Sequence, residues 1–344
     1  MKTHYFVDLV SDYNDITGNA VIRHTRYFLL NKGYKAISLK WTDRNNFLLK
    51  IYRFIQVFYW IAKIRKGSKV LFHLPIQYRA IRLLQNTLKW KKIETIGLIH
   101  DINGLRYEDN NLLKNEIRTV KKFSWLIVHN DKMQRFVSEF YPTERIHILW
   151  LFDYYSKNNN LIEREFSFSC AIAANFDKGT YINSLVNFFF EKRLQLHLYG
   201  SVPTALTQSL ISQNINIHGP IHPDSLPIIM AGSFGIIWDG NSLNTCNGSY
   251  GHYLLYNTPH KLSAYLAAGM PIIIWAKSAM ASWVLEKNVG ILIYSLNELE
   301  EKLSEVTSSQ YQQMHASAKE IGKLLCQGHF LNKVLDIIEQ KTLD

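Results

Sequence analysis

Short apolar runs alternate with segments of helical spacing along the whole chain, and this alternation limits the possible folds more than any other feature. Each run has the length of a buried strand, and the segments between runs place apolar residues three and four positions apart. Strands separated by helices form parallel sheets with helices on both faces. The pattern therefore predicts an α/β protein. The runs that we interpret as strands are Tyr5 to Val10, Ala36 to Leu39, Val70 to Leu74, Thr95 to Ile99, Leu126 to Val128, Cys170 to Ala174, Leu194 to Tyr199, Ile215 to His218, Phe234 to Trp238, Pro271 to Trp275 and Ile291 to Tyr294.

A polar stretch, Tyr155 to Glu165, follows the strand-like Ile146 to Phe152 and separates two such alternating halves. A chain of 344 residues is long enough for two domains that each bury a core. We therefore predict two doubly wound domains with this stretch as the linker. The predicted helices include Val21 to Asn31, Tyr78 to Leu88, Tyr181 to Phe189, Pro223 to Met230, Lys261 to Ala268, Met280 to Glu286, Leu296 to Val306 and His329 to Gln340.

The net charge of +11 is concentrated in the first half of the chain. Met1 to Trp150 carries 26 Lys and Arg against 12 Asp and Glu, whereas the remainder carries 13 against 16. Such a basic domain is typical of proteins that meet nucleic acid, an anionic membrane or a phosphorylated lipid. Within it, Phe47 to Lys69 combines an aromatic-rich helix with a basic cluster, which fits either a membrane-surface element or a largely buried helix with a solvated basic end. The cluster consists of Lys63, Arg65, Lys66 and Lys69.

The three cysteines are far apart in the sequence and lack metal-ligand spacing, which favours a reducing compartment. The first fifteen residues are typical of a strand followed by a polar turn rather than of a signal peptide, and no stretch is long and apolar enough to span a membrane. We therefore expect a cytoplasmic protein, with peripheral attachment to the inner face of the cell membrane as an extension of that expectation.

The segment from Gly248 to Trp275 predicts a loop, a helix and a buried strand. Asn257, Thr258 and Pro259 form a turn into the helix, which places His260 and Lys261 in its first turn. The backbone N–H groups and the positive end of the helix dipole favour an anion there, and a lysine adds a full charge. We predict that this turn binds a diphosphate, with Asn257, His260 and Lys261 among the binding residues.

Polar residues that directly follow predicted strands lie where doubly wound sheets bind their ligands. Each such turn is by itself weak evidence, because Gly, Asp and Asn are common in any turn. Together with Lys261 they converge on one edge, so we predict that they contribute to the same site. They are Asn175 and Lys178 after one strand, Tyr199, Gly200 and Ser201 after the next, and Asp239 after a third.

Nothing in the sequence predicts a metal ion or an organic cofactor. It contains no DxD triplet, and the thirteen histidines show no HExxH spacing. The turn after the first strand, which includes Thr17 and Gly18, lacks the three-glycine dinucleotide fingerprint. Its backbone could instead close over the diphosphate from the other side.

Several segments together resemble a known enzyme family. NTPHKLSAYLAAGMPIIIW (Asn257 to Trp275) resembles the donor-site segment of two-domain GT-B glycosyltransferases. With the other segments, the chain resembles bacterial galactofuranosyltransferases that build O-antigen and other surface polysaccharides. The other segments are WDG at Trp238, NGSYGHYLLYNTPHK ending at Lys261, IHDINGLR (Ile99 to Arg106), VHNDKM (Val128 to Met133), AANFDK (Ala173 to Lys178) and YGSVP (Tyr199 to Pro203).

The resemblance implies the GT-B fold, in which two Rossmann-like doubly wound domains face a central cleft. The implied domains are an acceptor-side domain (residues 1–155, joined by a C-terminal helix at about 328–344) and a nucleotide-sugar domain (156–327). The implied reaction is inverting, metal-independent transfer of galactofuranose from UDP-galactofuranose to a glycan or polyprenyl-diphosphate-linked acceptor, by a protein that could form a homo-oligomer. One position departs from the pattern: many GT-B enzymes carry a ribose-binding glutamate five residues before the glycine, where this chain has Ala264.

Inverting transfer needs a base that removes a proton from the acceptor hydroxyl. His100 and Asp101 end the fourth predicted strand, and we favour Asp101 because a carboxylate can also balance positive charge on the sugar. The alternative is a structural Asp101 that caps the following turn beside His100. Arg106 could bind an acceptor phosphate or pair with Glu108 or Asp109.

Other functions stay open from the sequence. They are transfer from UDP-glucose or another UDP-hexopyranose, a non-catalytic nucleotide-sugar-binding subunit, and, less favoured, nucleic-acid binding by the basic half.

Overall fold

The computed structural model describes residues 3–10, 20–40, 47–76, 78–157, 162–174, 176, 181–190, 194–202 and 214–341. Within these ranges the chain divides into two compact units, Met1–Trp150 with Phe330–Asp344, and Leu151–His329. These bounds differ by a few residues from the domain limits expected above.

The first unit contains a six-stranded parallel sheet, as far as the described residues show, in the order β2-β1-β3-β4-β5-β6. Its strands are β1 (Tyr5–Val10), β2 (Lys35–Lys40), β3 (Lys69–Leu74), β4 (Glu94–Ile99), β5 (Trp125–Val128) and β6 (Ile146–Ile148). Its helices are α1 (Ala20–Asn31), α2 (Phe47–Lys63), α3 (Arg79–Trp90), α4 (Asn103–Arg106), α5 (Asn110–Val120) and α6 (Asp131–Ser138).

The second unit repeats this plan with the order β12-β11-β10-β7-β8-β9 among its described strands. The strands are β7 (Ser169–Ala173), β8 (Gln195–Tyr199), β9 (Ile215–Gly219), β10 (Phe234–Ile237), β11 (Ile272–Trp275) and β12 (Gly290–Ile293). The helices are α7 (Tyr181–Phe190), α8 (Leu226–Ile229), α9 (Gly248–Tyr253), α10 (His260–Ala267), α11 (Ala281–Glu286), α12 (Leu299–Ser304) and α13 (Ser308–Cys326). A last helix, α14 (His329–Gln340), lies almost wholly in the first unit.

The strand orders identify the place in each sheet where a ligand is expected. In the first sheet, β2 pairs with one edge of β1, and β3 pairs with the opposite edge of β1, so the direction of the strand order reverses there. In the second sheet, β8 and β9 follow on one side of β7, and β10 pairs with the other side of β7. In open α/β sheets, ligands bind at the carboxyl ends of the strands beside such a reversal. The two reversals lie between β1 and β3 and between β7 and β10.

The apolar runs form strands because both faces of each sheet are covered. Every residue of β5, β10 and β11 is buried. A parallel sheet buried on both faces requires such continuous apolar sequences rather than alternating ones. The predicted α/β architecture and its strands are therefore confirmed.

Three details differ from the prediction. The strand expected over Ile146 to Phe152 ends at Ile148, and Gly248–Tyr253, expected as loop, forms the short helix α9. Lys69, predicted to belong to an exposed basic cluster, is 3% exposed. Its ammonium lies 2.5 Å from Glu94 and 2.7 Å from the backbone oxygen of Lys341, so its charge is neutralised inside the first unit.

Helix α14 is fastened to the first unit by polar contacts. The Tyr34 hydroxyl donates to Glu339 at 2.7 Å, and Lys32 pairs with Asp336. Across the residues that the structure describes, no helix combines the length and apolarity that a membrane crossing requires.

Candidate functional site

Lys261 lies in the first turn of α10, at the carboxyl end of β10. Its ammonium donates to the backbone oxygen of Trp238 and to Asp239 Oδ2, both at 2.9 Å. The side chain of Lys261 is 13% exposed, whereas that of Asp239 is 35% exposed. The helix start and the strand end that the sequence predicted to converge therefore meet through this ion pair.

Tyr265 holds α10 against the second sheet at the reversal of its strand order. The Tyr265 hydroxyl accepts a hydrogen bond from the Ala173 amide at 2.8 Å and donates to the Ile236 oxygen at 3.3 Å. A Cβ on Gly235 would lie 2.3 Å from the Tyr265 ring, so only glycine lets the ring cross β10 here. Burial raises the pKa of the Tyr265 hydroxyl, which stays protonated as its donation to Ile236 requires. The first turn of α10 is thus fixed beside β7 and β10.

His260 is placed against aromatic rings. Its imidazole stacks on Tyr154 with a centroid distance of 5.0 Å and meets Phe152 edge-on at 6.5 Å. Tyr154 in turn donates to the Pro223 oxygen at 2.9 Å. This packing fixes the imidazole ring of His260 against the two aromatic rings. The groups of the helix start that we expect to bind a ligand are therefore the backbone N–H groups.

The loop between β10 and α10 folds back on itself through close backbone contacts. Gly240 has a φ of +119°, and a Cβ there would lie 2.4 Å from the Asn247 oxygen. A Cβ on Gly251 would lie 2.6 Å from the backbone of Cys246 and 2.9 Å from the Asp239 oxygen. The two glycines therefore permit a compact loop next to Asp239.

Asn257 precedes α10 and has a buried side-chain oxygen. Asn257 Oδ1 makes no hydrogen bond within the described part of the chain. A buried acceptor without a partner costs free energy, so this atom is suited to accept a hydrogen bond from a ligand. Ala264, at the position where the resemblance implied a glutamate, is 3% exposed on the buried side of α10.

Tyr199, predicted to contribute to the diphosphate site, is packed inside the second unit. Tyr199 is 3% exposed and stacks on His218 at a centroid distance of 4.4 Å, while its hydroxyl accepts from the Ala231 amide at 2.8 Å. Gly200 has a φ of +143°, and a Cβ there would lie 1.9 Å from the Ala174 oxygen. Both residues therefore serve the packing of strand ends, whereas Ser201 is exposed.

Four predicted donor-site residues lie outside the described residues. They are Thr17, Gly18, Asn175 and Lys178.

In the first unit, Asp101 follows β4 and forms an ion pair with Arg106. Arg106 Nη1 lies 2.6 Å from Asp101 Oδ2, and both side chains are about a quarter to a third exposed. The sequence left Arg106 to bind an acceptor phosphate or to pair with Glu108 or Asp109, and of these Asp109 caps α5 through the amides of Asn111 and Leu112. Arg106 therefore orients the Asp101 carboxylate.

The start of α4, the helix that follows Asp101, is capped by Glu116. Glu116 accepts hydrogen bonds from the Asn103 and Gly104 amides of α4 at 3.1 and 2.8 Å. Burial raises the pKa of the Glu116 carboxyl. With these two amides bonded to Glu116, the structure does not support the alternative of Asp101 as the cap of this turn.

A partner of His100 was missed from the sequence. His73 Nδ1 lies 2.7 Å from His100 Nε2, and the two rings stack at 4.9 Å. Burial lowers the pKa of His73 to about 4, so it is neutral at neutral pH. The remaining ring nitrogen of His100, Nδ1, is buried. The only signal in the sequence was a histidine near the carboxyl end of an apolar strand.

A cavity of about 270 Å³ adjoins Asp101 in the first unit. Most of its wall is apolar, and its charged groups are Arg82, Asp101 and Glu116. The remaining wall comes mainly from β3, β4, α5 and α6, including Leu74, Ile99, Leu113, Val137 and Phe140. The candidate base thus lies at the edge of a pocket that can take an uncharged group.

Within the described ranges, no group of three or more His, Cys, Asp or Glu side chains is arranged to hold a metal ion.

Family models match both halves of the chain. The N-terminal domain of the glucosyltransferase 3-like family matches residues 11–146, and the C-terminal domain of the same family matches residues 170–338. The chain belongs to the glucosyltransferase 3-like family. It is a glycosyltransferase of the GT-B type.

The curated relatives of this glucosyltransferase 3-like protein are named as transferases of two different sugars. It is 24% identical over 281 residues to the β-1,6-galactofuranosyltransferase WbbI of Escherichia coli strain K12, covering 80% of this chain and 81% of WbbI. It is 25% identical over 251 residues to glucosyltransferase 3 of Streptococcus gordonii, covering 72% and 71% of the two chains. The predicted resemblance to galactofuranosyltransferases is confirmed at this modest identity.

Solved structures share the fold. Sucrose-phosphate synthase of Thermosynechococcus elongatus aligns over 98% of both chains with a TM-score of 0.64 and 14% identity. HepE of Anabaena, solved in complex with UDP, aligns over 99% of both chains with a TM-score of 0.64 and 9% identity. The predicted GT-B fold class is confirmed.

Proposed function

We propose that this protein transfers a hexose from a UDP-sugar and binds the donor diphosphate at the first turn of α10. The observation that carries the proposal is the fixed ammonium of Lys261, 2.9 Å from the Trp238 oxygen and from Asp239 Oδ2. An ammonium has three N–H donors, and these two bonds use two of them. The third can be donated to a phosphate oxygen at the helix N-terminus.

The proposed chemistry of Lys261 is stabilisation of the leaving diphosphate. When the bond between the sugar and the diphosphate breaks, negative charge develops on the phosphate oxygen that was bonded to the sugar. A cation that is already held in place stabilises this charge without reorganisation. The proposed reaction therefore needs no metal ion.

UDP is the proposed nucleoside diphosphate. The support is the GT-B fold shared with HepE of Anabaena, which has been solved with UDP and with UDP-glucose. We further propose that Asn257 Oδ1 accepts a hydrogen bond from a hydroxyl of the UDP-sugar. This bond would replace the one that a glutamate at position 264 would make to the ribose.

Galactofuranose is the proposed sugar, on the basis of the similarity to WbbI over 80% of the chain. Glucose is the second candidate, because both family models and the streptococcal relative carry the glucosyltransferase 3 name. The proposed acceptor is a hydroxyl of a glycan or of a lipid-linked oligosaccharide, and the proposed outcome is inversion.

Asp101 is the proposed base. Its carboxylate is oriented by Arg106 and its side chain is 31% exposed, so an acceptor hydroxyl can reach it. His100 is less suited, because Nε2 is engaged by His73 and Nδ1 is buried. We assign the two histidines a positioning role beside the base.

Calorimetric titration of UDP into EDTA-treated protein, with ADP and GDP as controls, tests the donor site. We expect UDP to bind in EDTA and Lys261→Met to weaken it, whereas Lys287→Met, a surface change in the same unit, should not. Absence of binding by all three nucleotides would overturn the donor site.

Hydrolysis of UDP-galactofuranose, UDP-galactopyranose and UDP-glucose then tests the sugar. Turnover of the furanose alone supports galactofuranose transfer, and turnover of UDP-glucose alone supports the second candidate. Binding of UDP with no hydrolysis and no transfer to any glycan acceptor would indicate a non-catalytic subunit. The anomeric configuration of the product, read by NMR, tests inversion.

A further inference from the structure

Helix α2 exposes a continuous apolar face to solvent. Ile51, Ile55, Phe58 and Tyr59 are spaced so that they lie on one side of the helix, and Ile55 and Phe58 are 59% and 60% exposed. Tyr52 and Phe54 flank this face and are exposed as well. A monomeric soluble protein rarely leaves such a patch uncovered without a function.

The opposite side of α2 holds the helix in the first unit. Val57 is fully buried and belongs to the hydrophobic core, as does Ile64 just after the helix. The exposed apolar residues are therefore not required for this packing. A soluble helix usually presents polar residues on its outer side, so the apolar outer face of α2 needs a different explanation.

The sequence around this face carries only basic charges. Residues 44–93 contain twelve Lys and Arg residues and no Asp or Glu. Lys63, Arg65 and Lys66 are exposed at the end of α2. The Lys63 ammonium donates to the Tyr59 hydroxyl at 3.0 Å and lies 5.2 Å from the centre of the Trp60 ring, so cationic and aromatic groups form one surface.

The end of α3 extends this surface. Lys91 donates to the Ile61 oxygen at 2.6 Å, which joins the end of α3 to the last turn of α2. Trp90 is 84% exposed, and its neighbours Lys89 and Lys92 are exposed as well. A second aromatic and basic group therefore lies beside the first. We call the exposed residues of α2, Lys63 to Lys66 and Lys89 to Lys92 the α2–α3 surface.

We propose that the α2–α3 surface binds the surface of an anionic lipid membrane. Aliphatic and aromatic side chains enter the boundary between headgroups and acyl chains, where tryptophan and tyrosine are favoured. The basic side chains face anionic headgroups, and each contributes to attraction. This inference concerns the first unit and does not depend on the proposed donor site.

Two other occupants fit the surface less well. A second copy of the same face would bring two wholly basic regions together without a single acidic residue between 44 and 93. Nucleic acid would contact the cations, but it would leave the aliphatic side chains of Ile51 and Ile55 without an apolar partner. A membrane satisfies the apolar and the cationic groups together.

The experiment is co-sedimentation of the full chain with vesicles of phosphatidylcholine alone and of phosphatidylcholine mixed with phosphatidylglycerol. We expect binding to the anionic vesicles that weakens with salt. The variant Lys63→Gln/Arg65→Gln/Lys66→Gln should lower the partition coefficient on the order of 100-fold, which corresponds to about 1 kcal/mol for each charge.

A second variant removes the apolar contribution and keeps the charge. Ile55→Ser/Phe58→Ser should reduce binding at every salt concentration, and both positions are exposed enough for the fold to tolerate the change. The matched controls Leu285→Ser/Tyr294→Ser and Lys277→Gln/Lys323→Gln/Lys333→Gln change exposed residues elsewhere and should bind as the parent does.

The proposal is overturned if the parent binds neither vesicle type, or if both α2 variants bind as well as the controls. Binding of labelled RNA or DNA that the charge variant loses, without vesicle binding, would assign the surface to nucleic acid. Self-association that Ile55→Ser/Phe58→Ser abolishes in sedimentation velocity, again without vesicle binding, would assign it to a second copy.

Discussion

Replacement of Lys261 by methionine tests the proposed role of the ammonium most directly. The change keeps the unbranched side chain and removes the charge together with two hydrogen bonds of 2.9 Å. Because the ion pair with Asp239 is partly exposed, we expect a loss of about 1–2 kcal/mol in the free energy of unfolding. The loss in transfer should be larger, on the order of 10²–10³ in kcat, because a fixed charge at the leaving group acts in the transition state.

Two measurements separate these effects. Urea denaturation gives the stability of Lys261→Met, and initial rates at saturating donor give kcat for the folded fraction. Asp239→Asn is the companion variant, because it removes the paired charge and leaves the lysine in place. If Lys261 acted only through its pairing with Asp239, the double variant would be as active as Asp239→Asn alone.

The reasoning would be refuted by a Lys261→Met protein that keeps the parental kcat and UDP affinity. It would also fail if activity fell only in proportion to the unfolded fraction, since the lysine would then be a structural residue.

Asp101→Asn should lower transfer by a factor on the order of 10²–10⁴ and leave the calorimetric affinity for UDP unchanged, and a loss of UDP binding would contradict its placement as a base. Gly235→Ala should destabilise the second unit by about 1–3 kcal/mol in urea denaturation, because the new Cβ would lie 2.3 Å from the Tyr265 ring, and an unchanged midpoint would argue against this crossing. Burial lowers the pKa of His129 to about 4 from an ordinary 6.5, so the unfolded chain binds more protons between these values. The contribution of His129 to stability is therefore retained above about pH 6.5 and falls by about 2 kcal/mol from about pH 7 to about pH 5, and His129→Gln should remove this part of the slope if the fold survives.

Local sequence was sufficient for the strands and for the start of α10. A run such as Ile272–Trp275 is apolar at every position and lies between two turns. Four consecutive apolar residues in such a short run indicate a strand that is covered on both faces. The turn before His260 was likewise readable, because a proline before a helical pattern marks a helix start by its own geometry. Both features depend on residues that are neighbours in the chain.

Features that depend on distant residues could not be read in this way. Lys69 is buried because Glu94 and the backbone of Lys341 neutralise it, and the second of these groups is far away in sequence. His73 became visible as a partner of His100 only when adjacent strands aligned their carboxyl ends. Tyr199 carries the aromatic ring that a nucleotide site would use, but the ring of His218 on the neighbouring strand already covers it.

The contacts of α14 affect the order in which the protein can be completed during synthesis. The six strands of the first unit leave the ribosome long before Glu339 reaches Tyr34 and before the backbone of Lys341 reaches Lys69. The second unit, Leu151–His329, is one continuous segment, and all of its residues are synthesised before α14 is complete. The half of the protein that is translated first is therefore finished last, and until then its buried lysine lacks one of its two partners.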